Sequence, residues 1–299
     1  MDFTLTEAQR ELAALTREIV ESSGAPWADL VKAGVVPEDP AELGVLEHCA
    51  VLVELGRAVA AVPYLPATLA QTALALSGRR VDPATVLSVA LAEDPAGAKT
   101  AVPCATSAEA FLVASGDEVF LVQAADLDIA PQVLLDGSEA GTFAFTGGGE
   151  PVEGVTPGWL TTRYALGLCA YQLGVTERAL ELTAEHARTR VQFGRPIGAF
   201  QAVAQRLADA YVDVSAIRLT LWQAAWRLAE GLPAEAEVAT AKFWAADAGH
   251  RVAHTAVHVH GGTGIDMGHG VHRYFTAAKR AEFELGGATA QLLRLSAAM

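Results

Sequence analysis

The amino-acid sequence predicts a mainly α-helical protein with a small β module set between two helical regions. Three observations carry this reading. Apolar residues recur at helical spacing over residues 1–82, and short apolar runs at strand spacing occupy 83–153. From 154 to 299 the pattern returns to long helices separated by brief Gly- and Pro-marked breaks.

Each element follows from local pattern. Thr6 with Gln9 three residues on is a capping-box start, and Leu12, Leu15 and Ile19 follow at helical spacing. A second helical run covers Leu43 to Ala61, and Pro63 and Pro66 bracket a break before a third from Ala67 to Leu76. The runs VLSVALA, AFLVAS, EVFLVQ, QVLLD and TFAF then alternate with Gly, Asp and Pro, and SGDE at 115–118 reads as a hairpin turn. This predicts a small antiparallel module. After GGGEPVEG at 147–154, helices are expected over 158–189, 198–230, 233–259 and 271 to the end. Helices of that length with short connections predict an antiparallel four-helix bundle.

Composition narrows the function classes. Apolar residues make up 52% of the 299 and charged residues 19%, enough to build a core and exclude wholesale disorder. The formal charge is −14, and the four lysines are scattered, so a basic nucleic-acid surface is not expected. Mean hydropathy is positive at +0.28, but it comes largely from alanine, and no uninterrupted spanning stretch is present. The N-terminus is acidic and amphipathic, unlike a signal peptide. Three widely spaced cysteines (Cys49, Cys104, Cys169) fit reduced thiols in the cytoplasm.

Three clusters could carry chemistry. His250, His254 and His258 lie at i, i+4, i+8 with His260 just beyond, but no acid or cysteine completes a metal-ligand set, so surface or interface histidines are the preferred reading. GGTG at 261–264 follows a helix, not a strand, which disfavours a dinucleotide fingerprint. Alone it reads as a helix-to-helix turn, though bare glycines also permit close approach of a ligand. RTRVQFGRPIGAFQ at 188–201 gathers Arg188, Arg190 and Arg195 at one helix junction of an acidic chain. The arginines there either clamp a phosphate group or neutralise the helix end and pair with acids.

At these residues the sequence resembles a known family. The block RTRVQFGRPIGAFQAVAQRLAD, followed by HVHGGTGI and HRYFTAAKR, is similar to the C-terminal domain of the acyl-CoA dehydrogenases, with weaker similarity before it. The combination of R-x-x-F-G, a Gln seven residues after its Gly, and a downstream GG-x-G is specific. The resemblance implies an N-terminal helical domain (1–82), a middle β domain (83–153) and a C-terminal four-helix bundle (154–299). It implies FAD as cofactor, oxidation of acyl-CoA to 2-enoyl-CoA, and an electron-transfer flavoprotein as acceptor. In the family one subunit's arginine and glycines hold the pyrophosphate and adenosine of a neighbour's FAD. By this resemblance Arg190, Phe193 and Gln201 touch FAD, and Gly261, Gly262 and Gly264 shape its adenosine contact. His258 stands where the family usually has Gln.

The departures matter as much. Counted without gaps from Gly261, the family's catalytic glutamate falls on Leu285, followed by Gly286. Glu284 is adjacent, but one residue on a helix turns a side chain by ~100°. Members that carry the base on the first bundle helix would place it in TTRYALGLCAYQLG, which offers Tyr164 and no carboxylate. The flavin-contacting G-x-K-x-W-I-T-N stretch corresponds to Gly97–Cys104, with Ala101 for the Trp and Pro103 for the Thr. The preceding Thr-Glu-Pro survives only as Ala92-Glu93-Asp94-Pro95, and strands that normally separate the segments are missing.

The chain is therefore expected to be the shortened, non-catalytic subunit of a heteromeric acyl-CoA dehydrogenase of two plus two subunits. It resembles the two-gene enzymes that shorten steroid side chains in actinobacteria. The partner would supply the base and the flavin pocket. One rival is a self-sufficient homo-oligomer using Glu284. The other is a flavin-free structural or binding protein on the same scaffold.

Overall fold

The structure, a computed structural model, describes residues 4–94 and 97–298. Its N-terminal part holds α1 (Glu7–Ser22), α2 (Pro26–Lys32), α3 (Val45–Ala58) and α4 (Tyr64–Leu76). The capping box at Thr6 forms as expected, with Gln9 N–H donating to Thr6 Oγ1 at 3.2 Å and Thr6 N–H to Gln9 Oε1 at 3.0 Å. The short α2 has no sequence-level expectation behind it. It begins at Pro26 and buries only Leu30.

Among the described residues seven strands make up the module: β1 (Leu87–Ala90), β2 (Ala98–Pro103), β3 (Ala110–Ser115), β4 (Glu118–Gln123), β5 (Ala130–Val133), β6 (Glu139–Ala144) and β7 (Glu150–Pro151). They form two sheets, β1-β3-β4-β7 and β2-β6-β5, joined through buried Phe111, Val122 and Phe143. The expected hairpin is present. Ser115 pairs with Glu118 across a two-residue turn in which Gly116 has φ +57°. The expectation of a wholly antiparallel module is corrected: β1 pairs with β3 in parallel. Between them β2 crosses to the other sheet, so the chain re-enters the first sheet in its original direction.

The bundle consists of α5 (Pro157–Thr189), α6 (Gln201–Ala229), α7 (Glu235–His260) and α8 (Val271–Phe283). Thr156 caps α5 by accepting from Trp159 N–H, with Pro157 in the first turn. The expected single helix from 271 to the end is instead two. It breaks at Glu284–Gly287, and α9 (Ala288–Ala298) lies along α7. Leu285 has φ +57° and Gly286 φ +90°. The buried Lys242 ammonium donates to the carbonyls of Ala281, Glu282 and Gly286 at 3.0, 3.1 and 3.2 Å, which satisfies the helix end that the break leaves open.

Two cores join these parts. One runs from α3 through the bundle, with Leu52, Leu55, Leu173, Ile217 and Leu221 buried. The other seats α4 and the start of α5 against β1 and β3. Between α3 and α5 the backbones nearly touch. A Cβ on Gly56 would lie 2.0 Å from the Tyr171 carbonyl oxygen, and one on Gly174 1.9 Å from that of Val53.

Candidate functional site

The residues that the resemblance nominates for FAD converge on one end of the bundle. α5 and α7 run parallel, so their C-termini meet, and His186 stacks on His260 with ring centroids 4.3 Å apart. Beyond Thr189 a tight hairpin of β8 (Val191–Gln192) and β9 (Arg195–Pro196) leads into α6. Phe193 has φ +52° and is 93% exposed, so its ring faces solvent with only an edge-on contact to Phe200, centroids 6.2 Å apart. Arg195 lies 4.1 Å from the Phe200 ring centroid, and Arg188 pairs with Glu185 at 2.6 Å. Among the described residues no acid pairs with Arg190, which is exposed at the C-cap of α5. The acid-pairing alternative thus accounts for Arg188 but not for Arg190. Gln201 is the first residue of α6 and exposed, beside amide groups that have no intrahelical acceptor.

Opposite this hairpin, His258 is exposed on the last turn of α7 and Gly261 ends the helix at φ +62°, ψ −138°. A Cβ on Gly261 or Gly262 would meet nothing within 4 Å, so the backbone there is open to a close-lying group. Gly264 differs: it is buried, and its Cβ would come 2.7 Å from the Val257 carbonyl oxygen. Burial lowers the basicity of His186, and neighbouring His260 and Arg190 lower it further. An unpaired arginine, free helix-start amides and an open glycine turn suit a pyrophosphate with its adenosine.

The position to which the resemblance assigns the family's base is built differently. Leu285 is half-buried and packs against both helical cores. Glu284 turns inward: Tyr164 Oη–H donates to Glu284 Oε1 at 2.6 Å, and Glu284 Oε2 lies 3.9 Å from Arg280 Nη1. Arg280 Nε is in turn 3.1 Å from Asp136 Oδ2, on the loop between β5 and β6. Burial opposes the Arg280 charge, but Glu284 and Asp136 outweigh it and hold the guanidinium above its ordinary pKa. Burial and the Glu284 carboxylate push the Tyr164 phenol well up. Tyr164, Asp136 and Arg280 border a cavity of about 770 Å³ between the module and the bundle, lined also by Pro103, Cys104 and Tyr171.

The stretch that the resemblance aligns with the family's flavin contact is equally altered. Ala101 sits on a bulge in β2 with φ +50° and its small side chain in solvent. Pro103 is buried, and its carbonyl accepts from Ser88 Oγ at 2.5 Å. Lys99 is buried and pairs with Glu93 at 2.5 Å. Pro95 lies outside the described residues. Ala101 and Pro103 offer neither the aromatic face nor the hydroxyl that the family's motif has at those positions.

The histidine series is dispersed. His250 bonds Glu282 at 3.1 Å and Lys279 at 2.8 Å, His254 packs on His250, and His260 turns toward His186. Among the described residues no group of three His, Cys, Asp or Glu side chains is arranged to hold a metal ion. Cys49, Cys104 and Cys169 are free. Among the described residues no helix is long and apolar enough to cross a membrane.

A profile of the acyl-CoA dehydrogenase C-terminal domain matches residues 161–299. Over 99% of its length, and 98% of the relative's, the chain is 44% identical to acyl-CoA dehydrogenase FadE27 of Mycobacterium tuberculosis. The chain belongs to the acyl-CoA dehydrogenase family. Its 299 residues spread over 369 aligned positions, so at least 70 positions fall opposite gaps in this acyl-CoA dehydrogenase chain. Among solved structures it is similar to a chain of the ChsE4-ChsE5 complex from M. tuberculosis, with TM-score 0.91, 43% identity and 99% and 98% of the two chains covered. It is also similar to a chain of the Tcur3481-Tcur3483 steroid ACAD G363A variant, with TM-score 0.89, 33% identity and 98% of each chain covered.

Sequence reasoning missed the inward network of this acyl-CoA dehydrogenase chain. Asp136 and Arg280 are 144 positions apart, and nothing in either segment announces the other. Counting nominates Leu285 but gives no sign of the inward turn of Glu284 beside it.

Proposed function

We propose that this chain is the non-catalytic subunit of a heteromeric, FAD-dependent acyl-CoA dehydrogenase, assembled as two plus two with a catalytic subunit. The observation that carries this reading is the contrast between two half-sites. The arc of Arg190, Phe193, Gln201, His258, Gly261 and Gly262 is exposed and open, suited to a cofactor held by a neighbour. The chain's own cradle, at Ala101, Pro103 and Leu285, lacks the ring, hydroxyl and carboxylate that a flavin and a thioester would need. Loss of function without constraint would not separate the residues in this way.

In the assembly, Arg190 pairs with the pyrophosphate, Gln201 hydrogen-bonds it at the start of α6, and the Gly261–Gly262 backbone lies against the adenosine. The chemistry that bound FAD supplies is acceptance of the β hydride as the acyl-CoA becomes a 2-enoyl-CoA. The catalytic subunit contributes the glutamate that removes the α proton, and an electron-transfer flavoprotein takes the electrons. The heteromeric complexes among its structural relatives support the partner, and the steroid enzyme among them supports an acyl-CoA with a steroid side chain. Three free thiols accord with the cytoplasm.

Co-expression with a catalytic acyl-CoA dehydrogenase subunit, followed by an absorbance scan of the purified complex, tests this. One FAD per heterodimer is expected, with the chain alone colourless. A yellow, acyl-CoA-oxidising preparation of the chain alone overturns it.

A further inference from the structure

A second cavity, of about 340 Å³, lies between α3, α4 and the start of α5. Leu52, Leu65, Leu69 and Leu166 give it an apolar wall, and none of its lining residues is acidic. Arg163, Leu166 and Gly167 border it, whereas Tyr164, Leu168 and Tyr171 of the same helix border the larger cavity. The two are thus on different faces of α5.

Arg163 is the unbalanced group. Its guanidinium lies over the Trp159 ring, 4.1 Å from the centroid. Among the described residues no carboxylate, carbonyl or hydroxyl bonds to it. Burial alone lowers its basicity, whereas carboxylate neighbours hold Arg17, Arg57, Arg251 and Arg280 up. The other polar groups of the cavity are already engaged. His48 is bonded to the Tyr64 hydroxyl at 2.9 Å, and burial pushes it down to about 4, so it is neutral. Thr68 and Thr72 donate to their own helix, to the carbonyls of Tyr64 and Thr68 at 2.7 and 2.8 Å.

A half-buried guanidinium with no anion carries a desolvation cost that the Trp159 ring offsets only in part. Stacked on an indole and bordering an apolar void, it suits an anion whose remainder is apolar. We propose that this cavity binds an amphipathic monocarboxylate, its carboxylate paired with Arg163 and its apolar body between α3, α4 and α5. At the ~30 Å³ of a water-sized group, the 340 Å³ accommodates on the order of ten non-hydrogen atoms. That is the size of a medium-chain or small alicyclic acid. The ligand is a free acid, because a thioester offers Arg163 no charge at its acyl group.

Calorimetric titration of the full chain with decanoate and with decan-1-ol tests this without any FAD. Decanoate is expected to bind at least about tenfold more tightly than the alcohol, since a bidentate arginine pair is charge-assisted. Arg163→Met, which keeps the apolar stem, should remove that difference and leave the alcohol unchanged. Thr72→Trp, which fills the cavity from its rim, should abolish binding of both. The proposal is overturned if decanoate does not bind, if the wild-type chain binds acid and alcohol alike, or if Arg163→Met binds decanoate as the wild type does. Decanoate binding that survives Thr72→Trp would place the ligand elsewhere and also overturn it.

Discussion

The phenol of Tyr164 donates a 2.6 Å hydrogen bond to Glu284 Oε1, tying the first bundle helix to the break after α8. The resemblance would put a catalytic base at Leu285, next to Glu284, or on the first bundle helix, where Tyr164 lies, and here Glu284 and Tyr164 satisfy each other. If Glu284 is structural, Glu284→Gln in the partnered enzyme should leave kcat within about twofold. Tyr164→Phe should instead lower stability by about 1–3 kcal/mol, because a buried carboxylate oxygen loses its donor. A collapse of kcat in Glu284→Gln at unchanged FAD content would return the base to this chain.

Two of the turn glycines, Gly262 and Gly264, should separate. Gly262→Ala places a methyl in open space, so it should melt as the wild type does while loosening FAD in the heteromer. Gly264→Ala should destabilise the fold, because the Val257 carbonyl oxygen stands 2.7 Å from the new atom. Arg190→Ala should weaken FAD on the order of 10–100-fold, the worth of one charge-assisted contact. Flavin fluorescence on dilution of the complex measures each. Equal FAD affinity in all three variants would detach this arc from the cofactor.

Lys242 holds the α8–α9 break through three carbonyls, so Lys242→Met should be costly. It leaves buried acceptors unpaired, a loss of about 3 kcal/mol or more. Urea unfolding should register this, and amide exchange should rise first around 281–287. A variant as stable as the wild type would mean that packing and the Gln291 side-chain amide, which donates to the Leu285 and Gly286 carbonyls, hold the break without Lys242.

Acid should weaken the fold through His48. Unfolded, its imidazole takes a proton below about pH 6.5, whereas burial in the folded chain pushes that down to about 4. The contribution is therefore complete above the unfolded value and lost as pH falls toward 4, at up to ~1.4 kcal/mol per pH unit. His186, His254 and His260 are shifted in the same direction, with burial the largest cause for each, and add to the slope. His48→Gln should flatten the stability–pH curve below neutrality. An unchanged curve would show that the residue is not excluded from water.

Much of the fold was legible because its signals are local. The Thr6–Gln9 cap, the 115–118 turn and the Gly- and Pro-marked bundle joints are each written within a few residues. The parallel pairing of β1 with β3 was not, since it depends on where β2 goes. The split of α8 from α9 was missed because its causes include Lys242, some 40 residues upstream. At the site, motif spacing nominated residues that the fold gathers at one end of the bundle, and counting nominated Leu285. The Asp136–Arg280–Glu284–Tyr164 chain of contacts joins three distant segments and leaves no trace in any of them.

Gly56 and Gly174, where α3 and α5 approach with no side chain between them, bear on how the molecule comes apart. Two helices from opposite ends of the β module share one seam, so neither can loosen without exposing the other's backbone. Sequence texture marks three regions, but the seam couples the first to the third as a single cooperative unit. A protease that nicks the glycine run at 147–149 should therefore leave two fragments that stay together under native conditions and melt in one transition.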